Sequence, residues 1–203
     1  MRSPVLFACL LSATAVGQSR PPVTAPPYFP AGIFDASHQN VRDKWYSSTL
    51  HALQEPSLFA LKSDPSQQVY RFLWLPSFHR PISVRLTIHA DGSGSVVTRS
   101  VDSHAGLLTR PATDTEKLIL DRTTALDRAK VQEVLDQLRT LDFWSVPTEP
   151  SVYEFGADGS QWVLEGVRNG EYHVVDRWSP ADSPFSQLCK HLFGLGEVEA
   201  TLY

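Results

Sequence analysis

Glu165 and Asp176 are the two acids best placed to act together. Both lie in DGSQWVLEGVRNGEYHVVDRWSP, residues 158 to 180. If this stretch folds back about Asn169-Gly170, they become diagonal neighbours on one hairpin face, within reach of a shared proton or cation. Two carboxylates do acid/base work when their surroundings separate their pKa values. The plainer alternative pairs one with an Arg or Lys and leaves the other in water. The same bend defines a second group, Trp162, His173 and Arg177. Asn and Gly suit a two-residue turn because both central positions need positive φ. The register then sets Arg168 against Glu171 as an opposite-charge pair, Gly166 against His173, Leu164 against Val175, and Trp162 against Arg177. Arg177 over Trp162 is a cation–π contact worth roughly 0.5–1 kcal/mol on a surface. Space above Gly166 would admit a ligand or another side chain. A hydrogen-bonded, partly buried His173 is the plain reading.

A third group is PSFHRP, where His79 and Arg80 sit between Phe78 and Pro81. A proline-bounded loop presents such side chains rigidly, or is a connector whose histidine bonds a carbonyl. His89 falls beside Arg85 on a strand, and His104 sits in DSHAG. No two histidines show a metal-ligand spacing, so neither metal nor cofactor is expected. The chain has no nucleophile elbow, His-Glu-x-x-His, Walker loop or Cys-x-x-Cys. DGSGS is a turn, not a phosphate cradle.

The elements that must hold these groups follow from periodicity. VYRFLWL is a strand. ISVRLTIHA alternates Ile82, Val84, Leu86 and Ile88 with Ser83, Arg85, Thr87 and His89, which predicts one face in the core and one in water. DGSG at 91 to 94 turns the chain into SVVTRSV, and EKLILDRTTAL adds a further strand. Val131, Val134, Leu135, Leu138 and Leu141 mark a helix capped by Asp127 and followed by Pro147, with Phe143 and Trp144 plugging its end. A last helix begins at Asp182 or Ser183, has Pro184 in its first turn, and turns Leu188, Leu192 and Leu195 inward. Upstream, Val41, Trp45, Tyr46, Leu50 and Leu53 share one face of a helix stopped by Pro56. Hairpins with helices between and after them predict an α+β domain. Its sheet is mainly antiparallel, with two helices on one face and an N-terminal amphipathic helix docked on it. The expected division is 1–17 leader, 18–34 proline-rich linker, 35–66 helical extension, 67–196 domain and 197–203 loose tail.

The chain has 203 residues, 42% hydrophobic and 20% charged, with a formal net charge of -4. Such a composition is globular, and it offers no basic field for nucleic acid or anionic lipid. The opening MRSPVLFACLLSATAVGQS has Arg2, a short apolar run and small residues at Ala15 and Gly17. That is the layout of a cleavable secretory signal, too short for a permanent span of about 20 residues. Cys9 stands too near Arg2 for a lipid-attachment site and leaves with the leader. Cys189 is then alone, a small apolar helix residue that cannot staple the fold.

YRFLWLPSFHRPISVRL, LDFWSVP and the 158–180 block together resemble an uncharacterised family of bacterial exported proteins. The shared motifs fall at Trp74 to His79, Phe143 to Pro147 and Asp158 to Pro180, and the likeness spans residues 70 to 195. It implies a bacterial source and export, and carries no activity.

Two functions are compatible with these residues. The favoured one is an exported, soluble, non-catalytic module, secreted or periplasmic, that binds an envelope partner or a small ligand. Its surface would join His79 and Arg80 to Asp158, Trp162, Glu165, His173, Asp176, Arg177 and Trp178, since aromatic and arginine side chains dominate recognition sites. The other is a hydrolase-like enzyme using Glu165 or Asp176 with His173 or His79. Export gives the first prediction. The mature chain begins at Gln18, with a cut after Ala15 as the second choice, and intact mass of secreted material reads the difference.

Overall fold

Asn169 and Gly170 both take positive φ, 54° and 78°, and turn strand β5 (Ser160–Arg168) into β6 (Glu171–Trp178). The register is the one the turn dictates: Arg168 pairs with Glu171, Gly166 with His173, Leu164 with Val175 and Trp162 with Arg177. The computed structural model describes residues 27–35, 39–102, 117–152 and 158–203. The leader, residues 18–26 of the proline-rich segment and His104 lie outside the described residues. β1 (Gln68–Pro76), β2 (Ile82–Ile88), β3 (Gly94–Val101) and β4 (Leu118–Leu126) complete a six-stranded sheet, ordered β4-β3-β2-β1-β5-β6. Every neighbouring pair is antiparallel, so the chain is an α+β fold. β1 is the inner strand that joins the β2–β4 meander to the β5–β6 hairpin.

A strand's period of two sorts β1 cleanly. Tyr70, Phe72 and Trp74 face helices α3 (Arg128–Thr140) and α4 (Pro184–Leu195), with Val134, Leu138, Phe143, Leu188 and Leu192 in one core. Asp127 caps α3 by accepting from the Lys130 amide. Ser183, rather than Asp182, caps α4 in a reciprocal pair with Ser186, and Pro184 follows in the first turn. Asp142, in the left-handed region at φ 52°, reverses the chain after α3 and drives Phe143 inward. Phe143 is what fills the space above Gly166. A Cβ on Gly166 would stand 2.7 Å from the Phe143 ring and 3.0 Å from Tyr70.

The opposite face corrects several expectations. It is not in water: α3 and α4 share one face as expected, while residues 27–35, α1 (Gln39–Ala52) and the short α2 (Leu58–Leu61) cover the other. Phe29 and Phe34 are buried against Tyr46, so the described end of the proline-rich segment is packed cover rather than tether. Strand alternation reveals which face is apolar, but not whether the polar face is wet. Tyr46, Leu50 and Leu53 are buried as the helical spacing predicts, whereas Val41 is 55% exposed. The tail is not loose either. Val198 and Leu202 pack on the core, and the Trp162 indole donates to the Tyr203 main-chain oxygen at 3.3 Å. Nor do the side chains of Arg168 and Glu171, opposite in register, form an ion pair; the Arg168 guanidinium lies 5.1 Å from the Trp144 ring.

Gly166→Ala forces the Phe143 and Tyr70 rings apart and lowers stability by about 1–3 kcal/mol. Urea unfolding checks it: the midpoint falls while the slope is unchanged.

Candidate functional site

The nine residues singled out from the sequence do not form one surface. Glu165 and Asp176 point to the face under α1, while Trp162, His173 and Arg177 point to the α3–α4 face. A pleat sends neighbouring positions to opposite sides, so one hairpin cannot offer both sets together.

The acids are buried and partnered. Arg71 stands across the sheet from Glu165 on one side and Arg85 on the other. Its Nε and Nη2 donate to Glu165 Oε2 at 2.9 and 2.5 Å, and Tyr172 donates to Oε1 at 2.9 Å. Above them sits Glu55, which the sequence did not single out. α1 ends in a left-handed turn at Gln54, φ 53°, with the Gln54 and Glu55 amides bonded back to His51 and Leu50. This double bond satisfies helix-end carbonyls and swings Glu55 inward. Glu55 accepts from Arg85 at 2.7 Å, Arg71 at 3.5 Å and Ser83 at 3.3 Å, with Arg99 at 3.8 Å. Loss of water lowers the Arg71 guanidinium, but Glu165 and Glu55 more than offset it and hold it above its ordinary value. Burial lifts the Glu165 carboxyl, against the pull of Arg71. Burial, then the Glu165 charge, pushes the Tyr172 phenol well up, so it remains a donor. Removing one partner of such a cluster costs about 3–5 kcal/mol, because the others are left charged and dry.

Asp176 belongs to a separate cluster. It accepts from Tyr46 Oη at 3.0 Å and from Gln161 Nε2, and Arg42 lies 3.7 Å away, itself ion-paired with Glu149. Burial raises its pKa to about 6 despite those partners.

Trp162 is 2% exposed, with its indole on Ser160 Oγ at 2.8 Å and its ring 5.2 Å from Phe72, so it offers no contact area. Arg177 does not lie on Trp162. It donates to the Thr148 and Pro147 carbonyls at 2.9 and 2.8 Å and passes 5.9 Å from Phe185. His173 Nε2 contacts the Val146 carbonyl at 2.8 Å, which places its proton there, and burial holds the imidazole below its ordinary value. Together these side chains strap residues 146–149 along β6, where the Asp176 amide also bonds the Thr148 carbonyl. That covers an edge strand that would otherwise invite pairing. The carboxylate–histidine pair of the hydrolase reading is not assembled: the acids end on Arg71, Tyr172, Tyr46 and Gln161. Histidines 173 and 79 end on Val146 and Tyr203.

Four of the nine do gather, at the end of the sheet where β1 stops. The Ser77 amide bonds the Gly159 carbonyl, bringing the His79–Arg80 loop to Asp158 and, through the Gly159–Trp178 contact, to Trp178. His79 stacks 6.3 Å from Trp74 and shares a 2.9 Å hydrogen bond with Tyr203 Oη. Arg80 pairs with Asp102 at 2.5 Å. Phe78, beside them, is 60% exposed. Tyr203 and Phe78 were missed as site members because a tail and a loop apex show no periodicity.

No three His, Cys, Asp or Glu among the described residues gather as a metal site, and Cys189 is buried, its thiol pushed well up by loss of solvent. No helix among the described residues is long and apolar enough to cross a membrane. Comparison with protein-family models and with curated proteins gives no match to this chain.

The raised Asp176 fixes a pH dependence. The folded chain holds this proton more tightly than the unfolded one, so its contribution is greatest below the ordinary 3.8 and is lost as pH rises through about 6. The loss totals about 3 kcal/mol. Asp176→Asn cannot titrate and lacks this loss. Between about pH 4 and about pH 7, urea unfolding shows wild type falling relative to the variant.

Proposed function

We propose that this chain is an exported, non-catalytic binding module of the bacterial cell envelope, and that it holds a partner protein at the sheet end carrying Phe78, His79, Arg80, Asp158, Trp178 and Tyr203. The leader at 1–17 and the likeness to exported bacterial proteins support export. The observation that carries the binding role is Phe78. It is a large apolar ring, 60% exposed, on a loop whose next residue is pinned by Trp74 and Tyr203. Aromatic anchors on rigid supports supply contact area with little ordering cost on binding. Arg80 and Asp102 give the anchor a polar rim, and Tyr203, 38% exposed, extends its apolar side.

The reading is tested with a photo-crosslinking amino acid placed at Tyr203 in the exported chain. One envelope protein is captured there, and Phe78→Ala lowers its yield about tenfold, the effect of truncating an anchor worth about 1.4 kcal/mol or more. Equal capture from Phe78→Ala, or no discrete product, removes the surface from consideration.

A further inference from the structure

The sheet has two edges, and the chain treats them differently. Residues 146–149 strap the β6 edge, through the Asp176 amide on the Thr148 carbonyl and the Arg177 bonds beside it. β4 carries no strap among the described residues; its main-chain bonds run to β3 alone. We propose that this edge pairs with β4 of a second copy of the chain, antiparallel about a two-fold axis at Thr123, joining two six-stranded sheets into one.

The strand is built to pair. It is nine residues long and five of them are exposed, so solvent reaches most of its length. Free edges are usually defended by proline, by lysine or by a bulge. Leu118–Leu126 contains no proline and no lysine. Its bulge is confined to the start: Val101 pairs with Leu118 and Ser100 with Leu120, which leaves Ile119 out of the ladder, 48% exposed. From Leu120 to Leu126 the ladder is regular. The two charges of β4 are met within the chain, Asp121 by Arg99 at 3.0 Å and Arg122 by Glu197 at 3.3 Å. A neutral, regular edge offers unpaired amides and carbonyls in alternation, and the group that satisfies both is another strand.

Symmetry and charge select a second copy and fix the register. Directly opposite residues share a face, so a two-fold axis normal to the sheet must pass through a residue position. Thr123 is the midpoint of the regular stretch, and an axis there uses its whole length. Leu120 then faces Leu126 of the second copy, Asp121 faces Ala125, Arg122 faces Thr124, and Thr123 faces itself as a hydrogen-bonding pair. Axes one or two residues earlier oppose Arg122 to Arg122 or Asp121 to Asp121, which repel. Later axes shorten the ladder, and one at Leu120 runs through the bulge. With the axis at Thr123 the two Arg122 side chains are diagonal neighbours, each held by its own Glu197. Self-pairing also closes the assembly. Both outer strands become strapped β6 edges, whereas a foreign strand would leave its own far side open. Phe78 follows β1, three places across the sheet from β4, so this pairing is tested independently of the partner surface.

Light scattering on the exported chain reads the pairing as a mass that rises to two chains with concentration. Thr123→Lys and Thr123→Asp each weaken self-association about tenfold or more, because like charges then stand directly opposite. An equimolar mixture of the two variants restores it. Under dissolved oxygen Thr123→Cys forms a disulfide-linked dimer. Ala125→Cys does not, because its two copies stand farther apart than the roughly 7 Å between Cα atoms that a disulfide spans. Cys189 is buried and does not compete. The cysteine pair decides even if a charged variant misfolds. A chain that stays monomeric, a dimer indifferent to charge at position 123, or equal linkage from Ala125→Cys overturns the proposal.

Discussion

A buried arginine in the middle of a sheet is the constraint around which this molecule is arranged. Arg71 lies on an inner strand and is inaccessible to solvent, so its charge must be met from within the protein. Glu165 meets it from β5 and Glu55 from the turn after α1. The arginines of three strands, 71, 85 and 99, face the carboxylates of Glu165, Glu55 and Asp121, and of these acids Glu55 comes from the N-terminal segment. Apolar packing by Tyr46, Leu50 and Leu53 fastens that segment; the ion cluster fixes where it sits. Geometry of this kind is specific because a slip of one residue would strand a charge.

The same logic explains why chemistry-bearing residues turn out to be structural here. Glu165, Asp176, His173 and Arg177 are each saturated by partners from distant parts of the chain. Sheet groups so placed hold helices and straps in position. At the two ends of β1 the strands stop and side chains leave the layers. At one end Phe78 is exposed on a loop braced by Tyr203 of the tail; at the other Arg168 and Asp142 line one cleft. In this three-layer molecule both sheet faces are covered, so exposed side chains gather at edges and ends.

What sequence alone determined is the local structure. Asn169-Gly170 set the hairpin register, because only certain residues accept two positive φ values in succession. The apolar spacing from Val131 to Leu141 set α3, Asp127 and Ser183 set the helix starts, and alternation set the strands. These are interactions between near neighbours, and their geometry is the same in any protein.

Only tertiary structure decided which face meets which partner. The alternation in β2 looks identical whether its polar side meets water or Glu55. Val41 fits the helical stripe and still lies outside the contact. Phe29 and Phe34 sit among prolines and are nonetheless core. Arg168 has Glu171 opposite it in register and stacks on Trp144 instead. Each of these outcomes rests on contacts between residues far apart in the chain. Such contacts depend on how completed elements pack together, and no local pattern encodes that.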